Sequence, residues 1–221
     1  MDILGAIGNT SMVRLRKVVP ANCADVFVKL EWENPTGSMK DRMARAVISR
    51  AEEDGRLKPG GTVVEYTGGS TGASLALVCA AKGYRIRIVS SDAFSKEKLD
   101  QMASLGAELT LVPSEGGRTT RKLIVDMIEA ARALSREPAT YWTDQLNNQD
   151  GIGGYHPLAE EIWSQTKGEI DAFVSLRRDG RFLARDQHGP RAKVVTLMAD
   201  SGLKYLSTDV YRRSPRETTG A

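Results

Sequence analysis

Apolar and polar positions divide the chain into short strands and amphipathic helices that take turns. Met12-Val13-Arg14-Leu15, after a Gly8-Asn9 turn, is short and strand-like, and Val26 to Glu31 is a second β-like run. A helical pattern then runs to Gly55. Thr62 to Tyr66 is a β-branched strand, and Ala73 to Lys82 is an apolar helix ended by Gly83. Arg85 to Ser91 alternates as a strand does, Lys96 to Leu105 is a helix closed by Gly106, and Leu109 to Val112 is a strand. Thr119 to Ser135 is a long helix with Leu123, Ile124, Met127, Ile128 and Ala131 on one face, which reads as a core face. After a flexible, glycine-rich stretch from Gly151 to Tyr155, a helix runs from Pro157 to about Thr166. Ile170 to Val174 reads as a buried strand and Val194 to Met198 as another. Repeated β-α-β units at this spacing predict an α/β fold on a parallel sheet.

Two turns in this pattern carry chemistry. Asn34-Pro35-Thr36-Gly37-Ser38-Met39-Lys40-Asp41-Arg42 joins a strand to a helix. Ser38, with Asp41 three residues on, has the spacing of an N-cap with an approximate capping box. Lys40 then falls in the first helical turn, where the dipole disfavours an ammonium. A neutral lysine amine is what Schiff-base chemistry requires. Thr67-Gly68-Gly69-Ser70-Thr71-Gly72 is the second turn, again between strand and helix, a design suited to anions because glycines admit a ligand to unpaired N–H groups. It is neither a Walker P-loop nor G-x-G-x-x-G. Ligands of parallel sheets gather at the carboxyl ends of strands, so both turns are expected on one sheet edge and in one site. From the residues alone, a solvated lysine beside Asp41 is the commoner reading of the first stretch, and a plain tight β–α turn accounts for the second as well as an anion site does.

Composition narrows the field. Among 221 residues, 41% are hydrophobic and 27% charged, as in ordinary globular chains. The net charge of +3 (31 − 28) is too balanced to point to nucleic acid. Cys23 and Cys79 lack C-x-x-C spacing, and Cys79 reads as core filling. His156 and His188 are the only histidines, too few for a His-rich metal site, and His156 reads as a capping or packing residue. No apolar run approaches membrane length and no leader pattern opens the chain, so a cytoplasmic protein without a membrane partner is expected.

Asn34-Pro-Thr-Gly-Ser-x-Lys-Asp-Arg42 resembles the cofactor-lysine segment of the cysteine synthase and cystathionine β-synthase family, the fold-type II pyridoxal-phosphate (PLP) enzymes. Ile7-Gly8-Asn9-Thr10-Ser11-Met12-Val13 is similar to that family's opening segment, with Ser11 in place of a proline. The resemblance implies that Lys40 holds PLP and later takes a proton from the amino-acid substrate. It implies that Thr67, Gly69, Ser70, Thr71 and Gly72 cradle the substrate carboxylate, with Ser70 also reaching the cofactor's ring hydroxyl. Gly68 and Ser70 stand where the family has serine and asparagine. Gln145, in the polar stretch after Tyr141, matches a substrate-facing glutamine; a solvated loop residue fits that position as well.

After Val174 the resemblance breaks. The family has a glycine-rich phosphate loop there; this chain has an arginine-rich stretch, 175–191, with no glycine cluster. Similarity resumes at Val194 to Met198 and at Asp200-Ser-Gly-Leu-Lys-Tyr-Leu-Ser-Thr-Asp209. An internal deletion after residue 174 is the expectation, with Arg177, Arg178 or Arg181 as substitute phosphate ligands or as a solvated loop, and 212–221 as a disordered tail. The implied organisation is a smaller β-α-β domain, 35–145, with 1–34 and 146–221 as the remnant of a larger, truncated cofactor domain. The implied activity is β-replacement on an O-activated L-serine by sulfide to give L-cysteine. A non-catalytic chain and a PLP-dependent serine or threonine dehydratase are the alternatives, and a homodimer or a pairing with an intact relative is the implied assembly.

Overall fold

The structure, a computed structural model, describes residues 2–20, 22–174 and 191–208. Two four-stranded sheets carry the chain, where the β-α-β spacing led us to expect one shared edge. The first is wholly parallel and has the order β5-β4-β3-β6, from β3 (Thr62–Tyr66), β4 (Arg85–Ser91), β5 (Glu108–Val112) and β6 (Thr140–Trp142). The second has the order β1-β2-β8-β7, from β1 (Met12–Arg14), β2 (Asp25–Lys29), β7 (Ala172–Val174) and β8 (Lys193–Leu197). Only β1 runs antiparallel there. The helices are α1 (Lys40–Glu53), α2 (Ser70–Lys82), α3 (Lys96–Ser104), α4 (Arg121–Leu134), α5 (Asp150–Gly153) and α6 (His156–Gln165). None among the described residues is long and apolar enough to cross a membrane.

Strand β3 is buried along its whole length because helices cover both faces. Val63 joins Val47, Ile48, Leu75, Val78 and Met102 in one cluster, and Val64 joins Leu123, Met127 and Ala131 of α4 in the other. The α4 face expected from the sequence therefore holds, with Ile124 and Ile128 partly buried at its margin. Cys79 lies fully inside the first cluster, and burial pushes its thiol up to about 12, which suits a packing role.

Three sequence expectations need correction. Ser38 and Asp41 do not form a capping box. Met39 flanks α1, the Ser38 hydroxyl accepts from the Lys40 N–H at 3.1 Å, and Asp41 turns back to accept from the Thr36 N–H at 2.8 Å. The strand at 172–174 is an edge, not a buried element: β8 takes the place between it and β2, and Phe173 is 49% exposed. The glycine-rich stretch after Asp150 is ordered as α5, because its glycines let it lie against α1. A Cβ on Gly154 would meet the Arg42 carbonyl oxygen at 2.6 Å, and one on Gly151 would meet Met43 Cγ at 3.0 Å. The expectations for the arginines at 177, 178 and 181 and for the 212–221 tail lie outside the described residues.

The Gly154 approach is backbone against backbone and cannot be relieved by a rotamer. Gly154→Ala should therefore cost about 1–3 kcal/mol, the range for overpacking. Gly153→Ala, at a position with nothing within 4 Å, should stay within about 0.5 kcal/mol of wild type. Urea unfolding of the two variants beside wild type checks the pair.

Candidate active site

Lys40 is the first residue of α1 and is half-buried. Its amine donates to the Tyr155 hydroxyl at 3.3 Å and lies 5.9 Å from the centre of that ring. No carboxylate among the described residues pairs with it, so Asp41 does not neutralise the amine. Asp41 is buried, which raises its pKa, while hydrogen bonds from Ser74 and Thr36 work in the opposite direction.

Two residues past Lys40, Arg42 fixes the start of α1. Its guanidinium donates to both oxygens of Glu31, at 2.7 and 2.9 Å, and to both oxygens of Glu161 on α6, at 2.7 and 2.8 Å. Lys29 joins Glu161 at 2.7 Å from a fully buried side chain. Thr10 and Asn34 complete the coordination of Glu31, at 2.7 and 3.0 Å. The N-terminal turn is drawn in as well. The Gly8 N–H donates to Asn34 Oδ1 and the Asn9 N–H to Glu161 Oε1, and a Cβ on Gly8 would come within 2.9 Å of the Arg42 guanidinium. The Ile7–Thr10 turn is thus part of a buried ionic network rather than a free surface loop.

The glycine turn follows β3. Thr67 Oγ1 accepts from the Gly69 N–H at 3.1 Å, and the first backbone bond of α2 runs from Ala73 to the Gly69 carbonyl, also at 3.1 Å. The N–H groups of Ser70, Thr71 and Gly72 precede that bond and form the usual open donors of a helix start. Thr71 donates its hydroxyl to Gln145 Oε1 at 2.7 Å, and Gln145 donates its amide to the Tyr66 carbonyl at 3.1 Å. Glu65, fully buried, accepts from the Gln145 N–H at 3.0 Å and from the Thr143 hydroxyl, so it sets the course of the Gln145 loop. Gly72 has a packing reason of its own, since a Cβ there would strike Met102 Sδ at 2.3 Å.

Lys40 and the glycine turn belong to different sheets, yet the chain brings the two turns together. Thr36 Oγ1 lies 3.3 Å from Ser74 Oγ, and Gln101 donates to the Thr36 carbonyl at 3.0 Å. Residues 199–201 then bridge them: Met39 donates to the Ala199 carbonyl, Ser201 donates to the Gly37 carbonyl, and Ser70 Oγ donates to Asp200 Oδ2 at 3.0 Å. Sequence reasoning missed this crossing and the cations beside it. The Lys98 side chain covers Gly69, with its amine 3.9 Å from the centre of the Tyr205 ring. Lys204 is buried beside Gly37, and its amine has no hydrogen-bond partner among the described residues. Burial lowers the pKa of both lysines against the pull of Asp200. Beside Met39 and Tyr155 opens an apolar groove of about 390 Å³, also lined by Leu158, Ile162, Phe173 and Leu197.

A family model described as pyridoxal-phosphate dependent enzyme matches residues 3–180. The chain belongs to that family. Cysteine synthase B of Escherichia coli is 42% identical over 223 aligned residues, which span 96% of this chain and 69% of that protein. A cysteine synthase of Staphylococcus aureus is 41% identical over 177 residues, spanning 79% of this chain and 55% of that one. Among solved structures, a hydrogen sulfide-producing enzyme of Fusobacterium nucleatum matches with a TM-score of 0.69 at 30% identity, over 78% of this chain and 55% of that one. O-acetyl serine sulfhydrylase isoform 3 of Entamoeba histolytica matches with a TM-score of 0.80 over 98% of this chain and 93% of that one; at 24% identity it speaks to the fold alone.

The described residues fit the family's cofactor at its reactive end. Lys40 offers a primary amine that no carboxylate claims, which is what condensation with an aldehyde needs. The buried Lys204 amine, without an acceptor among the described residues, offers a donor to an anionic group near Gly37. The stretch where the family's phosphate loop was expected lies outside the described residues.

Two carboxyls give the stability of the fold opposite pH dependences. Burial acts to raise the pKa of Glu161, but hydrogen bonds from Arg42 and Lys29 outweigh it and hold the group at about 2, below its ordinary 4.5. Its contribution is complete above pH 4.5 and is lost as pH falls through about 2. For Glu65, burial prevails over the bonds from Thr143 and Gln145 and lifts the group to about 7. The unfolded chain then ionises first, so this group's contribution falls as pH rises from 4.5 through about 7. Glu161→Gln should cost about 2–4 kcal/mol at neutral pH and flatten the acid limb. Glu65→Gln should abolish the decline between pH 4.5 and 7. Urea unfolding over pH 3–8, at roughly unit steps, checks both.

Proposed function

We propose that this chain is a PLP-dependent cysteine synthase, which replaces the activated β-oxygen of an O-acylated L-serine with sulfide to give L-cysteine. The observation that carries the reading is the Lys40 amine at the start of α1, free of any carboxylate among the described residues, in a chain 42% identical to a cysteine synthase B. PLP, when bound, supplies the electron sink that lets a proton leave the α-carbon of an amino acid. Lys40 would hold the cofactor and, once released by the substrate amine, would take the α-proton at Nζ. The open N–H groups of Ser70, Thr71 and Gly72 would bind the substrate carboxylate, with the Thr67 hydroxyl shaping the turn and Gly69 keeping it close. Gln145, held by Glu65 and Thr71, would present its amide beside that carboxylate. The Ser70 hydroxyl, now given to Asp200, would turn to the cofactor's ring hydroxyl. The two sheets are read as two domains, 35–145 and 1–34 with 146–221, with both turns on the first and residues 199–201 of the second reaching across to them.

A second reading has one observation in its favour. Trp163 and Phe173, 61% and 49% exposed, border the apolar groove, as expected if a second copy or an intact relative covers that face. In that reading the chain contributes to an assembly and does not catalyse alone.

Absorption spectroscopy decides between them. Purified chain incubated with PLP should show a visible band that survives dialysis and is absent in Lys40→Ala. Adding O-acetyl-L-serine and sulfide should then yield cysteine in wild type only. Matching spectra from the two proteins would remove the enzyme reading for the isolated chain.

A further inference from the structure

We infer that Tyr155 is a positioning residue for the reactive amine: its hydroxyl holds Lys40 Nζ in place in both protonation states. The inference rests on the proposed role of Lys40 and adds a residue to it. Tyr155 Oη is the polar partner of that amine among the described residues, at 3.3 Å. A phenol suits this position because it accepts from an ammonium and donates to a neutral amine, whereas a carboxylate only accepts and would keep the lysine charged.

The contact is not a chance meeting of two flexible side chains. Tyr155 lies between α5 and α6, at a point tied to α1 on both sides. Before it, Gly154 abuts the Arg42 carbonyl so closely that a Cβ would lie 2.6 Å away. After it, Glu161 on α6 takes two hydrogen bonds from the Arg42 guanidinium. Its own N–H donates to the Ile152 carbonyl at 3.0 Å. Tyr155 is also among the residues that line the apolar groove, beside Met39 and Leu158. The protons balance simply. When Nζ takes a proton from the substrate's α-carbon, a C–H bond becomes an N–H bond and the new ammonium donates to Tyr155 Oη. When the proton is returned, Tyr155 donates its own O–H to the amine lone pair. Tyr155 keeps its proton throughout, and no oxidation or reduction occurs.

The test compares wild type with Tyr155→Phe, which keeps the ring in the groove. Each protein, without PLP, is acetylated briefly with acetic anhydride. The modification of Lys40 is read by peptide mass spectrometry against exposed Lys58 in the same sample. Loss of the hydroxyl frees the amine lone pair and removes the acceptor of the ammonium, and both effects raise reactivity. The Lys40 to Lys58 ratio should rise about threefold to tenfold, the scale of one hydrogen bond. An unchanged ratio in a variant with wild-type circular dichroism and unfolding midpoint overturns the inference. A second measurement needs no variant. Acetylating Lys40 in wild type removes the ammonium that donates to the phenol oxygen and favours the phenolate attacked by tetranitromethane, so nitration of Tyr155 should fall relative to the other tyrosines, and an unchanged ratio would also overturn the inference. Borohydride trapping of PLP on wild type separates this inference from the function it rests on. A raised acetylation ratio with no PLP trapped at Lys40 would remove the enzyme reading and leave the pairing of the two side chains standing.

Discussion

A guanidinium cannot be buried without acceptors, and that constraint organises this fold. Arg42 is 4% exposed and two residues from Lys40. It is tolerated there because Glu31 and Glu161 supply four carboxylate oxygens, and because Thr10, Asn34 and Lys29 occupy the remaining positions on those oxygens. Such clusters contribute little net stability over an apolar core, but partial removal is costly. What the arrangement provides here is registry. One side chain on α1 fixes β2 through the segment bearing Glu31, α6 through Glu161, and the N-terminal turn through Asn9 and Asn34. Lys40 opens α1 and Tyr155 immediately precedes α6, so the ionic cluster that ties these helices also brings the two side chains near each other.

A second constraint joins the two sheets. The parallel sheet from β3 to β6 and the mixed sheet from β1 to β8 share no strand, so contacts beyond the ladders must place their turns side by side. The Ala199–Ser201 crossing does much of this, through backbone bonds to the lysine turn and the Asp200 carboxylate on Ser70. Apolar packing adds to it, since Val47 and Ile48 of α1 share one cluster with Val63 of β3 and Leu75 of α2, and Leu4, Ile7 and Tyr155 pack against that cluster.

The sequence was informative wherever structure is local. Both turns could be found from glycine and proline placement, and the helices from their apolar period, with boundaries displaced by a residue or a few. Cys79 and the face of α4 also followed from pattern. What could not be read depends on distant partners. Arg42 and Glu161 are 119 positions apart, and Tyr155 is 115 from Lys40, so no local spacing marks either pair. The buried ends of Arg42, Lys29 and Glu31 were equally hidden, because long charged side chains are exposed by default. The edge position of β7 was misjudged for a related reason: a short apolar run looks the same in the middle of a sheet and at its margin. The family resemblance supplied what local physics could not, namely the family and its cofactor.

The departures within the glycine turn are explained by what packs against it. Gly68 stands where the family carries serine, and a Cβ at that position would lie 2.6 Å from the Phe94 ring. The Lys98 side chain covers Gly69 in the same way, at 2.2 Å from a notional Cβ. Ser70, shorter than the family's asparagine, gives its hydroxyl to Asp200 instead of leaving an amide to be satisfied. Small residues at 68, 69 and 70 therefore form a matched set with Phe94, Lys98 and Asp200. Restoring the family's serine at 68 would require Phe94 to leave. The turn keeps its open helix N–H groups through this exchange, because the intruding side chains meet the Cβ positions and not those backbone donors. The start of α2 itself is unaltered by these departures.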